Sequence, residues 1–163
     1  MSKVLTIYST SHGTTESVAN RIHESLICAH KEIVNIKNID KNISIDSADF
    51  IILGTSIHAG AINKSVSKFI EDNMSKLKDK KVAIFLCCMN EPAEQEQLYK
   101  NFPLELIDSS IACSIVGGEF IFEKMNFVEK LLVKKIAGVK SSVSKLRDDE
   151  IDEFISRINY FIK

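Results

Sequence analysis

Residues 8–19 read Tyr8-Ser9-Thr10-Ser11-His12-Gly13-Thr14-Thr15-Glu16-Ser17-Val18-Ala19. A β-rich apolar run over residues 3–9 leads into this cluster. An apolar stripe at helical spacing (Val18, Ala19, Ile22, Leu26) leads out of it. The stretch is therefore a strand-to-helix junction. Four hydroxyl side chains, on Thr10, Ser11, Thr14 and Thr15, surround Gly13. A helix N-terminus offers unpaired N–H groups and the positive end of a dipole, which suit a phosphate. The hydroxyls add donors without charge, and the loop holds no Lys or Arg. The Gly-x-x-x-x-Gly-Lys and Gly-x-Gly-x-x-Gly patterns are both absent, which argues against triphosphate and dinucleotide sites. The residues fit a terminal phosphate monoester, with Thr10, Ser11, Gly13, Thr14 and Thr15 as its ligands and His12 in the same loop.

Outward from this junction, short apolar runs alternate with amphipathic ones. Residues 32–36, 49–56, 81–88 and 111–116 read as four further strands. Helices are expected over residues 14–28, along the stripe Ile62, Val66, Phe69, Ile70, Met74 and Leu77, and over residues 93–101, stopping before Pro103. Two more follow, one over residues 127–139 and one capped by Asp148 that carries Ile151, Phe154, Ile155, Ile158 and Phe161. Five strands with helices between them make an α/β protein: a three-layer, doubly wound sandwich on a five-stranded parallel sheet. Its 163 residues fit one domain, 1–163. With 45% hydrophobic residues and a net charge of −1, disorder and a nucleic-acid partner are both excluded as readings. The longest apolar stretches are too short to span a bilayer, and no export signal is visible. A cytoplasmic location is expected.

The chain has six glycines, and five cluster after strands: Gly13, Gly54 and Gly60, Gly117 and Gly118. Ligands of open parallel sheets bind outside the carboxyl ends of the strands, where the winding reverses. The glycines therefore mark either tight turns or close approach to a ligand.

At this point the sequence resembles the flavodoxin family. The family's FMN-phosphate signature runs aromatic, one residue, Ser/Thr, two residues, a small residue, one residue, Thr, three residues, Ala. Tyr8, Thr10, Gly13, Thr15 and Ala19 satisfy it in register. His12 stands where many members carry Thr. Residues 51–60, Ile-Ile-Leu-Gly-Thr-Ser-Ile-His-Ala-Gly, look like the second flavin loop of the menaquinone-dependent protoporphyrinogen dehydrogenase branch. The resemblance implies a flavodoxin-like strand order of 2-1-3-4-5 and FMN as cofactor. It places Ser56, Ile57 and His58 beside the ribityl chain and ring, with Cys88, Met89 and Asn90 forming the other flavin-side loop. It further implies oxidation of an organic substrate such as a porphyrinogen, with electrons passed to a quinone. A soluble electron carrier docking with redox partner proteins is the alternative, and a flavin-free binding module a third. Carrier flavodoxins tend to be strongly acidic, unlike this chain. Residues 87–96 lack the aromatic that often stacks on the flavin, and Tyr99 falls within a helix.

His58 is the one candidate catalytic group, since a histidine titrates near neutrality; a loop residue without a role is the simpler reading. His23 and His30 read as surface residues. Cys87, Cys88 and Cys113 read as core thiols, and no metal-finger spacing exists among the cysteines. Residues 124–147 hold Lys124, Lys130, Lys134, Lys135, Lys140, Lys145 and Arg147 against one acid, Glu129. The expectation is a helix that packs its apolar side on the core and solvates its basic face. The functional alternative is contact with a partner or with an anionic membrane surface through Lys130, Lys134 and Lys135. Receiver domains share the winding but need paired acids after the first strand and an Asp ending the third. Ser9-Thr10 and Gly54-Thr55 stand there instead.

Overall fold

Phe50–Ser56 buries every residue but its last, as a strand covered on both faces must. The computed structural model describes residues 2–38 and 43–162. Its elements are β1 (Lys3–Tyr8), α1 (Thr14–Ser25), β2 (His30–Asn35), β3 (Phe50–Ser56), α2 (Lys64–Leu77), β4 (Lys81–Cys87), α3 (Glu94–Asn101) and α4 (Leu104–Ser109). They continue with β5 (Ala112–Ile115), β6 (Glu119–Phe120), α5 (Phe127–Ile136), β7 (Val143–Ser144) and α6 (Asp148–Ile162).

Five strands pair in the order β2-β1-β3-β4-β5, all parallel. Successive side chains alternate across the sheet, so two cores form. Leu5, Ile7, Ile51, Leu53, Ile84 and Leu86 face α2, α3 and α4 through Val66, Phe69, Ile70, Leu98 and Leu106. Val4, Tyr8, Phe50, Ile52, Ala83 and Phe85 face α1 and α6 through Val18, Ile22, Ile151, Phe154 and Ile158. The fold class and strand order are as expected.

Four local differences have physical causes. Helix α1 stops at Ser25 rather than reaching residue 28. Leu26 turns to extended backbone, and Asn159 of α6 accepts from Ile27 N and donates to Ser25 O. Pro103 ends α3 but also starts α4, because proline needs no donor at a helix N-terminus. The antiparallel ribbon β6–β7 has two residues per strand, too few to show a period. Gly54 lies inside β3, where its missing side chain makes room for the Phe85 ring; a Cβ there would sit 2.0 Å from Phe85 Cζ.

The largest correction concerns residues 127–139. The helix is shorter, ending at Ile136 with Gly138 in the left-handed region (φ 67°) just past it. More importantly, it buries nothing in the core. Phe127 and Ile136 are each 80% exposed, and Val128, Leu131 and Leu132 are exposed too.

Candidate functional site

The chain passes from β1 to the edge strand β2 on one side of it and re-enters the sheet at β3 on its other side. This reversal lies at the paired carboxyl ends Tyr8 and Gly54, and Ser9 N donates to Gly54 O at 3.0 Å. The hydroxyl loop therefore sits at the topological switch point.

Gly13 takes φ 95°, a left-handed conformation open to glycine and strained for β-branched residues. Its N–H donates to Thr10 Oγ1 at 2.9 Å. It is also the N-cap of α1, and no side chain caps that helix. The first-turn amides, which lack intrahelical acceptors, are thus free to meet an anion. Ser9 Oγ, fully buried at the base of the loop, has no partner among the described residues. Among the described residues, two cations reach the loop from elsewhere. Lys37 Nζ donates to Thr10 O at 2.8 Å and Ser11 Oγ at 3.2 Å. Lys124 Nζ stands over Gly13, 2.6 Å from where a Cβ would be. An uncapped helix start, an orphaned hydroxyl and two ammonium groups fit a phosphate dianion.

Not every expected ligand points into the loop. Thr14 Oγ1 donates to Glu119 Oε2 at 3.1 Å. Thr15 is buried against Cys87. Their amides rather than their hydroxyls face the anion position. Tyr8 OH donates to Glu16 Oε1 at 2.7 Å, and burial together with that carboxylate pushes the phenol up to about 12.

Ser56, Ile57 and His58 follow β3. Ile57 N donates to Cys87 O, and His58 and Ala61 exchange two backbone hydrogen bonds across a tight turn with Ala59 at φ 50° and Gly60 at φ 80°. Ser56 Oγ lies 3.0 Å from His58 Nε2. The His58 ring lies 5.6 Å from that of His12, whose Nε2 meets Glu129 Oε2 at 3.2 Å. Partial burial lowers the His58 pKa, and the nearness of His12 and Lys37 lowers it further. The residue as a whole is exposed, and the shift favours the neutral imidazole. Glu129 is held below the usual carboxylate range by the Asn126 backbone N–H first and then by His12.

After β4, Cys88 is buried in the core and its N–H donates to Gly117 O at 2.8 Å. Only Met89 and Asn90 of that trio reach the surface. Met89 fills the space left by Gly118, and Gly117 lets the Lys145 carbonyl pass where a Cβ would be 1.9 Å from it. These two glycines make room for neighbouring chain segments. Arg147 holds Glu94 through two bonds, 3.0 and 2.7 Å, and Lys145 meets Glu91 at 3.1 Å. The segment leading into α6 thus clamps the loop after β4 and the start of α3. Burial pushes the Cys87 thiol up to about 12 and the half-buried Cys113 up to about 11, which favours the protonated thiol in both.

Sequence reasoning missed Ser9, Lys37, Lys124, Glu119 and Glu129. Lys37 had a signal, since strand order 2-1 brings the end of β2 beside the loop. Lys124 and Glu129 had none, because nothing in their spacing reports the fold-back after β5. A cleft of about 710 Å³ lies at the other end of the sheet, lined by Ser2, Ala48, Asp49, Phe50 and Lys78 to Lys81. It sits at the amino ends of the strands, away from the helix start that offers anion donors.

The family model of the flavodoxin domain matches residues 5–145. No curated protein matches the chain. Among solved structures, a flavodoxin from Streptococcus pneumonia TIGR4 is 13% identical, with a TM-score of 0.63 over 98% of this chain and 99% of that one. Flavodoxin 1 from Bacillus cereus is 17% identical, with a TM-score of 0.57 over 98% and 97%. An NADH:FMN oxidoreductase in its apo form is 12% identical, with a TM-score of 0.61 over 99% and 89%. Likeness at these identities establishes the fold.

Proposed function

The chain belongs to the flavodoxin domain family, and from that premise we propose that it is an FMN redox protein that oxidises an organic substrate and passes the electrons to a quinone. One observation carries the cofactor: the uncapped start of α1 at the switch point, with the Ser9 hydroxyl orphaned and Lys37 and Lys124 converging on it. When bound, FMN supplies the electron chemistry, and the protein orients and tunes it. The α1 amides, Thr10, Ser11 and the two lysines hold the phosphate. The Ser56–His58 turn and Met89-Asn90 flank the ring position. His58, 3.0 Å from Ser56 Oγ, is placed to accept a proton in its neutral form as substrate is oxidised. A porphyrinogen, as in the dehydrogenase branch the second loop resembles, is the substrate class this reading favours. The near-neutral charge supports an organic substrate and a quinone over an acidic docking face.

Two measurements test the reading. Wild type should bind FMN at least tenfold more tightly than riboflavin. Lys124→Ala should weaken FMN binding by about tenfold, the worth of one charge-assisted hydrogen bond, and leave riboflavin unchanged. Equal affinity of the wild type for the two flavins defeats the phosphate site. Turnover of porphyrinogen with a soluble quinone supports the enzyme. Reduction by a flavodoxin reductase without quinone turnover assigns the protein to the carriers instead.

A further inference from the structure

We propose that α5 docks the protein on an anionic lipid bilayer, lying in the plane of the interface. The helix is inside out. Its half-buried stripe is Glu129, Lys130 and Val133, two of them charged, whereas Phe127, Val128, Leu131, Leu132 and Ile136 face solvent. Its orientation is fixed by specific polar bonds. Asn126 and Glu129 form a reciprocal capping box at its start, and Glu129 also reaches His12. Gly138 ends it. A roll of the helix that buried its apolar side chains would break these bonds.

The charge on the outer face is of one sign. Lys134, Lys135 and Lys140 are exposed. Both nearby acids are turned away, Glu129 to His12 and Glu123 to Ser142 Oγ at 2.9 Å. Large apolar side chains interleaved with lysines suit an interface, where lysine stems lie along the apolar layer and ammonium groups reach anionic headgroups. Ten residues span about 15 Å, half of a hydrocarbon core, so the helix lies on the membrane and does not cross it. No helix among the described residues is long and apolar enough to do so. A second copy is the poorer occupant, because two-fold pairing would bring two faces that both carry Lys134 and Lys135 and no outward acid onto one seam. Through Glu129 and His12, docking would bring the loop at the end of β1 to the membrane side. This deepens the quinone reading, since a quinone acceptor is dissolved in the bilayer.

The experiment is co-sedimentation of holoprotein with vesicles of phosphatidylglycerol and phosphatidylcholine, and with phosphatidylcholine alone. The expected result is binding to the anionic vesicles at low salt, release at high salt, and no binding to neutral ones. Replacing Lys134, Lys135 and Lys140 together by alanine should weaken binding by about 100-fold, roughly fivefold per lysine. Phe127→Ser with Ile136→Ser should abolish it with every charge kept. Both variants alter exposed positions, and bound FMN absorbance with far-UV circular dichroism confirms that each is folded. Wild type left in the supernatant at low salt overturns the proposal. So does unchanged binding by the apolar variant. A wild-type dimer in sedimentation velocity that the apolar variant dissociates assigns the face to a second copy instead. Vesicle binding is read without turnover, so binding without quinone reduction removes the quinone reading and leaves the docking surface standing.

Discussion

Helices α1 and α5 look alike in sequence and have opposite fates in the fold. Each carries apolar residues at i, i+3 and i+4 spacing with charges between them. In α1 the stripe Val18, Ala19 and Ile22 is buried under the sheet. In α5 the corresponding face is exposed, and a capping box and a histidine contact hold it there. The period of a helix reports which side chains share a face. Whether that face meets the core depends on where the preceding loop delivers it. The expectation of a core-packed α5 failed because the segment after β5 passes through a short ribbon, β6–β7, that anchors it outside the three layers.

The most direct way to break this comparison is to truncate matched side chains. Ile22→Ala should cost about 2–5 kcal/mol, as deletions of fully buried isoleucine do, since Ile22 is 0% exposed. Ile136→Ala should stay within about 0.5 kcal/mol. Urea denaturation reads both. Equal losses mean that α5 is packed in solution and that the two helices do not differ.

Gly13→Val sharpens the comparison at the start of α1. A β-branched residue at φ 95° adds backbone strain of about 1–3 kcal/mol. It also screens amides whose bonds to a charged acceptor contribute about 1.5–3 kcal/mol each. FMN affinity should therefore fall by about 100-fold or more, with a smaller loss in apoprotein stability. Fluorescence titration alongside a urea melt measures the two. A collapsed apoprotein whose folded remainder binds FMN normally makes Gly13 a structural residue only.

The smallest effect tests the link between the regions. Charge on His12 disfavours charge on His58, 5.6 Å away ring to ring. His12→Asn should raise the His58 pKa toward the ordinary 6.5 in a proton NMR titration. The sign for stability follows: a folded-state pKa below the unfolded one means that this contribution is lost as pH falls through the unfolded value toward the folded one. The variant should flatten that acid-side slope. No movement of the His58 resonance means that the phosphate loop and the turn after β3 are electrically independent.

Much of the fold was legible because its signals are local. Nearly unbroken apolar runs announce strands covered on both faces, as in residues 50–55 and 82–87, and the 3.6-residue period announces helices. The hydroxyl loop was legible because a strand end, a glycine at positive φ and a helix start are adjacent in the chain. The roles of its side chains were less so. Thr14 and Thr15 spend their hydroxyls on Glu119 and Cys87, neither of them a sequence neighbour. Cys88, expected on the flavin side, turned inward because strand alternation and its bond to Gly117 set its direction.

By itself, the sequence determined the alternating α/β pattern and the hydroxyl-rich loop at the strand-to-helix junction. Each follows from backbone geometry and side-chain chemistry within about a dozen consecutive residues. Only the tertiary structure decided that Lys37 and Lys124 charge that loop, that His12 and His58 meet, and that α5 shows its apolar side to solvent. These depend on pairs of residues 27 to 117 positions apart. Spacing along the chain carries no record of them, because two distant segments become neighbours only when the sheet and its crossovers close around the core.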